Sequence, residues 1–204
     1  TLMLMLSKNI KGLEKDIDKK LWQKRKVFAL LSREINDLHG KTLGIIGKGS
    51  IGMKVGRIAK AFGMNINYFS VRNYKKTQFL KFLSSLDYLS VHCPLNEKTK
   101  DLITIKELKI MKKNMILINT ARGGIVNEND LTKALKQKII AGAGIDVTTS
   151  EPPKKSHAYY SILNEANFIW TPHTAWASNE TLQEAINQLI LSLIHISEPT
   201  RQKP

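Results

Sequence analysis

The stretch Leu43-Gly44-Ile45-Ile46-Gly47-Lys48-Gly49-Ser50-Ile51-Gly52 runs an apolar strand straight into Gly-x-Gly-x-x-Gly, and a helix-like segment, Met53 to Phe62, follows it. That order sets a tight turn at the carboxyl end of a strand and opens a helix whose first N–H groups lack intrahelical acceptors. Such groups, at the positive end of the helix dipole, bind phosphate. Gly47 permits the turn, Gly49 lets a pyrophosphate approach the backbone, and Gly52 lets helix and strand pack closely. The motif alone is weak and would also suit a turn without a ligand; its strand–turn–helix setting carries the reading.

Around this turn, short apolar runs alternate with helical ones. Strands are predicted at Leu43–Ile46, Ile66–Phe69, Tyr88–His92, Met115–Asn119, Ala143–Asp146 and Phe168–Thr171. Helices are predicted at Ile51–Phe62, Gln78–Leu83, Ile105–Met111, Glu128–Gln137 and Asn179–Leu191. The alternation predicts an α/β fold, a Rossmann-type doubly wound parallel sheet covered on both faces, with ligands at the carboxyl ends of its strands. Leu2 to Ile10 reads as the end of an apolar helix. Lys11 to Asp37 reads as a charged, partly helical connector anchored by Leu21, Trp22, Val27 and Phe28.

The chain thus divides into a connector (1–37), a dinucleotide-binding domain (38–178), the start of a returning helix (179–190) and a tail (191–204). The tail, Leu191 to Arg201, resembles a translated adapter from sequencing-library preparation, which would make it non-native and leave His195 without a role. The alternative is a natural helix end stopped by Pro199.

Bulk properties narrow the class. With 204 residues, 42% of them apolar, the chain can bury a globular core. A single cysteine, Cys93, excludes an intramolecular disulfide and suits a reducing, cytoplasmic compartment. No run reaches the roughly 18 apolar residues of a membrane span. The opening Thr1 to Leu6 is too short for a signal peptide, and without an initiator Met it reads as a truncated start. A net charge of +15 raises nucleic acid or an anionic membrane as partners. The lysines are spread along the chain, however, and the aromatics do not interleave with the basic runs, so neither partner is expected.

Candidate chemistry lies at the predicted strand ends. The second strand ends in Phe69-Ser70-Val71-Arg72, with no carboxylate where a ribose-binding acid would stand, about 20 residues beyond the glycines. A small hydroxyl at Ser70 and a guanidinium at Arg72 suit a 2′-phosphate, so the reading is NAD or NADP with a lean to NADP. Arg122, in Asn119-Thr120-Ala121-Arg122-Gly123-Gly124, stands at a strand tip, where a guanidinium can hold a substrate carboxylate. Asp146 ends another strand and Glu151 precedes Pro152-Pro153. His173, in Trp170-Thr171-Pro172-His173-Thr174-Ala175, lies just past the last strand, where a nearby carboxylate would help it hold and donate a proton. His92 reads as structural, His39 and His157 as loop residues, and Cys93 as a buried packing residue. No metal site is expected.

Together these motifs resemble the D-isomer-specific 2-hydroxyacid dehydrogenases over roughly residues 1–190. The features are the glycine turn with Ala61-Phe62-Gly63-Met64, Val91-His92-Cys93-Pro94-Leu95, Asn119 to Val126, Asp146-Val147 with Glu151-Pro152, and Pro172-His173 with Thr174-Ala175-Trp176-Ala177-Ser178. Thr171 to Ser178 is most similar to the glycerate dehydrogenase/hydroxypyruvate reductase branch. The resemblance implies an oxidoreductase that moves hydride between NAD(P)H and a small 2-keto or 2-hydroxy acid, hydroxypyruvate or glyoxylate, and a homodimer joined through the helix near Ile10 and the connector near Trp22.

It also implies roles. His173 is the acid/base, Glu151 its partner and Arg122 the substrate-carboxylate residue. Ser50 and Ile51 meet the pyrophosphate, Ser70 the ribose, and Asp146 the nicotinamide amide. Cys93, Thr120, Ala121, Thr174 and Ala175 line the cofactor cleft. Three departures stand out: on the order of 100 residues of substrate domain are absent, the stretch from Ser70 to Asp87 is short on the third-strand side of the adenine pocket, and the last helix is cut. A fragment that binds cofactor without turnover is one expectation. Another reading, from a different class, is a non-enzymatic NAD(H)-sensing protein like the C-terminal-binding corepressors, which share the same Arg, Glu and His.

Overall fold

In a computed structural model, which describes residues 1–197, six parallel strands form one sheet. They are β1 (Thr42–Ile46), β2 (Asn65–Phe69), β3 (Tyr88–Val91), β4 (Ile116–Asn119), β5 (Gly142–Ile145) and β6 (Phe168–Trp170), in the order β2-β1-β3-β4-β5-β6. The helices are α1 (Leu2–Ser7), α2 (Ile10–Asp18), α3 (Leu21–Arg25), α4 (Ser50–Ala61), α5 (Lys76–Ser85), α6 (Ile105–Ile110), α7 (Glu128–Lys136) and α8 (Asn179–Ser197). Strand order reverses between β1 and β3, so the glycine turn after β1 opens at the switch point of the sheet.

Period-two alternation sorts the core into two layers. Leu43, Ile45, Tyr88, Ile116 and Ile118 face α1 and α4. Ile46, Leu89, Val91, Leu117, Ala143 and Ile145 face the other way, into a cluster with Phe79, Leu83, Leu108, Leu131 and Phe168. Each such fully buried aliphatic side chain contributes roughly 1.5–3 kcal/mol of transfer free energy. On β5 the α1-facing positions are Gly142 and Gly144, and Leu2 and Leu6 of α1 occupy the space that side chains there would fill.

Several expectations are corrected. The N-terminal apolar run is not one helix: Asn9, in the left-handed region at φ 50°, separates α1 from α2. The connector is not anchored by its apolar residues: Phe28 is 99% exposed, and Trp22 and Val27 about half exposed. The connector is held by polar bonds instead. Arg33 makes a two-pronged contact with Asp16, which also accepts from Ser32 Oγ. Lys11 donates to the Phe168 carbonyl, Lys15 to that of Asn164, and Lys8 pairs with Asp37. No strand lies between β2 and α5, so β2 is an edge of the sheet. Helix α8 continues past Leu191 to Ser197, and the remainder of the adapter-like run, Glu198 to Arg201, lies outside the described residues. Among the described residues no helix is long and apolar enough to cross a membrane.

Candidate active site

The glycine turn is held against the tip of β3. Gly47 has φ +105°, and a Cβ there would overlap the His92 carbonyl, so the position requires glycine on two counts. Its N–H bonds to the Phe69 carbonyl at the end of β2. Gly49 caps α4 with no side-chain acceptor and no acid in the first turn, and nothing lies within 4 Å of a Cβ built on it. An uncapped helix start facing open space fits an anionic group at Ser50 and Ile51, and Ile51 is 68% exposed despite being apolar.

Beside the turn lies a cavity of about 310 Å³, lined by Gly47, Gly49, Ser70, Arg72, His92 and Cys93. Arg72 also lines an adjoining cavity of about 490 Å³ with Asn96 and Lys98. Ser70 Oγ accepts the Arg72 N–H and so caps the short turn that presents the guanidinium. His92 bonds Ser90 Oγ at 2.8 Å, a partner not evident in the sequence, and burial lowers its pKa. Burial also pushes the Cys93 thiol up to about 11.

At the tips of β4, β5 and β6 the structure gathers the remaining candidates. His173 Nδ1 and Glu151 Oε2 lie 2.6 Å apart, and Glu151 Oε1 accepts the Thr148 N–H at 2.9 Å. Both side chains are 37% exposed. His173 itself adopts φ 56°, an uncommon conformation for a side-chain-bearing residue, and donates its N–H to the Asp146 carbonyl. Asp146, 1% exposed, accepts from Thr171 Oγ1 and from the N–H groups of Thr174 and Ala175. That carboxylate therefore ties the 171–175 turn to β5. A cavity of about 480 Å³ is lined by Asp146, Glu151, Tyr160, Trp170, Thr171 and His173.

Arg122 follows β4 and is exposed, and its guanidinium donates to the Ala121 carbonyl. Asn119, buried at the end of β4, fixes this turn by bonding the Ala121 N–H and the Arg122 carbonyl, with Thr120 and Ala121 half-buried between them. A Cβ on Gly123 would overlap the Thr148 backbone, so the Arg122 turn sits directly on the loop carrying Glu151. Among the described residues no hydrogen bond joins Arg122 to the His173–Glu151 pair.

Two supporting residues escape the sequence reading. His157 lies in a loop, as expected, but its side chain is only 9% exposed and bonds Glu128 at 2.8 Å. Only the fold brings these two together, since 29 residues separate them without a recognisable spacing.

Residues 1–175 match the family described as D-isomer specific 2-hydroxyacid dehydrogenase, NAD binding domain. The chain is 43% identical over 173 residues to a glycerate dehydrogenase of Methylorubrum extorquens, covering 83% of this chain and 54% of that one. It is 41% identical over 164 residues to a glyoxylate reductase of Thermococcus litoralis, covering 75% and 47%. The NAD-complexed crystal structure of a D-isomer specific 2-hydroxyacid dehydrogenase from Lactobacillus delbrueckii ssp. bulgaricus superposes with a TM-score of 0.78 at 27% identity, covering 98% of this chain and 66% of that one. The chain spans about half the length of the curated relatives it matches. A family profile that takes in the glycine turn, the Arg122 turn and the Glu151 loop, on a parallel sheet of matching topology, leaves one conclusion: this chain belongs to the D-isomer specific 2-hydroxyacid dehydrogenase family.

Proposed function

We propose that the whole protein reduces small 2-keto acids, or oxidises the matching D-2-hydroxy acids, with hydroxypyruvate/D-glycerate and glyoxylate/glycolate as the substrate pairs. The observation that carries this reading is the 2.6 Å His173–Glu151 pair at the same carboxyl edge of the sheet as an uncapped, glycine-led helix start.

The open N-terminus of α4 fits a pyrophosphate, with Gly49, Ser50 and Ile51 against it. When bound, the dinucleotide supplies the hydride. In the reducing direction His173 acts as the imidazolium: Nδ1–H donates to Glu151, and the second proton, on Nε2, is the one transferred. As hydride reaches the carbonyl carbon, the C=O electron pair moves to oxygen, and His173 Nε2 gives that oxygen its proton. Arg122 holds the substrate carboxylate and draws charge from the adjacent carbonyl. Asp146 keeps the turn bearing His173 in place, and the nicotinamide carboxamide is assigned to it. Thr120, Ala121, Thr174, Ala175 and Cys93 line the cleft.

Ser70 and Arg72 favour NADP over NAD through the 2′-phosphate. The exposed apolar residues of the connector (Ile17, Trp22, Phe28 and Leu31) support a homodimer formed through that arm. The non-enzymatic sensor has no observation of its own in this chain. The test is a panel of 2-keto acids with NADH and NADPH on the whole protein: turnover of hydroxypyruvate or glyoxylate is expected, and cofactor binding with no turnover of any keto acid would reject the enzyme reading.

A further inference from the structure

Behind the His173–Glu151 pair lies a second imidazole–carboxylate pair. Glu128 Oε2 and His157 Nε2 are 2.8 Å apart, with side chains only 12% and 9% exposed. Glu128 is the first residue of α7, yet it caps nothing in that helix. Asn127 does so, accepting the Asp130 N–H at 3.1 Å. The Glu128 carboxylate instead reaches across to Thr149, accepting its N–H at 2.7 Å and its hydroxyl at 2.9 Å. Thr149 follows Thr148, whose N–H orients Glu151, and Glu151 in turn holds His173.

The imidazole is fixed as well. The Tyr159 N–H reaches His157 Nδ1 at 3.3 Å, so the donor to Glu128 is Nε2–H. The ring stacks on Trp170 at 5.5 Å and 28°, and Trp170 ends the strand that leads to His173. Both segments carrying the outer pair, the 148–151 loop and the end of β6, therefore rest on the inner one.

We propose that Glu128 and His157 are positioning residues for the Glu151–His173 pair, setting the placement of the Glu151 carboxylate that selects which ring nitrogen of His173 bears the proton. The idea rests on His173 as the proton donor of the proposed reaction, but its test needs no turnover. A half-buried carboxylate bonded to three partner groups is a rigid post, and losing its charge frees the Thr149 backbone next to the Thr148 N–H.

The tautomer of His173 reads this directly. Long-range proton–nitrogen spectra of the chain at about pH 9, where an imidazole is neutral, give the ratio of Nδ1–H to Nε2–H forms. Wild type is expected to hold Nδ1–H, and Glu151→Gln sets the limit of its loss. Glu128→Gln is expected to lower the ratio at least ~3-fold, and Glu128→Gln in the Glu151→Gln background to lower it no further, because the effect passes through Glu151. A folded Glu128→Gln variant with an unchanged ratio and only a lower melting temperature would overturn the proposal. Should Glu128→Gln not fold, Thr149→Val, which removes one of the two bonds to Thr149 and keeps the buried pair, is expected to shift the ratio the same way, and an unchanged ratio there would overturn it equally.

Discussion

Glu151 accepts from the Thr148 N–H with one oxygen and pairs with His173 Nδ1 through the other. The carboxylate is thereby fixed by backbone on one side while it orients an imidazole on the other. Since Gly123 packs against the same Thr148 backbone, the turn bearing Arg122 registers against this loop too. Three side chains from three strand ends are thus indexed to one short segment.

The first two glycines of the turn are predicted to separate folding from binding. Gly47→Ala places a side chain at φ +105° against the His92 carbonyl and is expected to destabilise the fold by more than ~1 kcal/mol. Gly49→Ala, with φ −84° and open space around it, is expected to fold like wild type and to bind dinucleotide at least ~10-fold more weakly, because its methyl group enters the space left for the pyrophosphate. Thermal melts and cofactor titration of both variants check the contrast.

At the edge of the sheet, Arg72→Ala is predicted to weaken NADPH binding at least ~10-fold and NADH binding by less than half that factor. Titration with both cofactors measures this, and equal losses would remove the 2′-phosphate role from Arg72.

Cys93 is predicted to be inert in the native protein. With burial pushing its thiol up to about 11, only about one molecule in a thousand is thiolate at pH 8. Alkylation by iodoacetamide is expected to be negligible until denaturant is added, and rapid native labelling would contradict the buried placement.

The connector is predicted to come loose in acid. The bonds from Arg33 and then Ser32 hold the Asp16 carboxyl at about 2, below its ordinary 3.8. A depressed carboxyl contributes stability that is complete above the unfolded value and is lost as pH falls towards the folded one. Protease cleavage within residues 19–31 is therefore expected to rise between about pH 4 and pH 2, and Asp16→Asn to show that cleavage already at neutral pH. A pH-independent cleavage rate in the wild type would contradict it.

The sheet and its glycine turn were legible because both rest on local pattern: runs such as Leu43 to Ile46 and Ile116 to Asn119 are buried on both faces, and the glycines punctuate one of them. The strand-end candidates were legible because a strand tip is found from the strand itself. The connector departs from its reading because Trp22 and Phe28 carry the composition of anchors, while docking depends on tertiary contacts that composition does not encode. Glu128 and His157 were invisible for a further reason, since their pairing exists only where α7 packs against the turn that follows His157. Asp146 was placed at the site, but its three internal bonds, which hold the His173 turn, follow from tertiary geometry alone.

The most direct measurement is the rate of keto-acid-dependent NAD(P)H oxidation by the whole protein and its His173→Ala variant, alongside cofactor affinity for both. The account predicts a fall in kcat of at least ~100-fold with nearly unchanged cofactor Kd. Equal rates in the two proteins would contradict it, since the proton would then come from somewhere other than the imidazole held by Glu151.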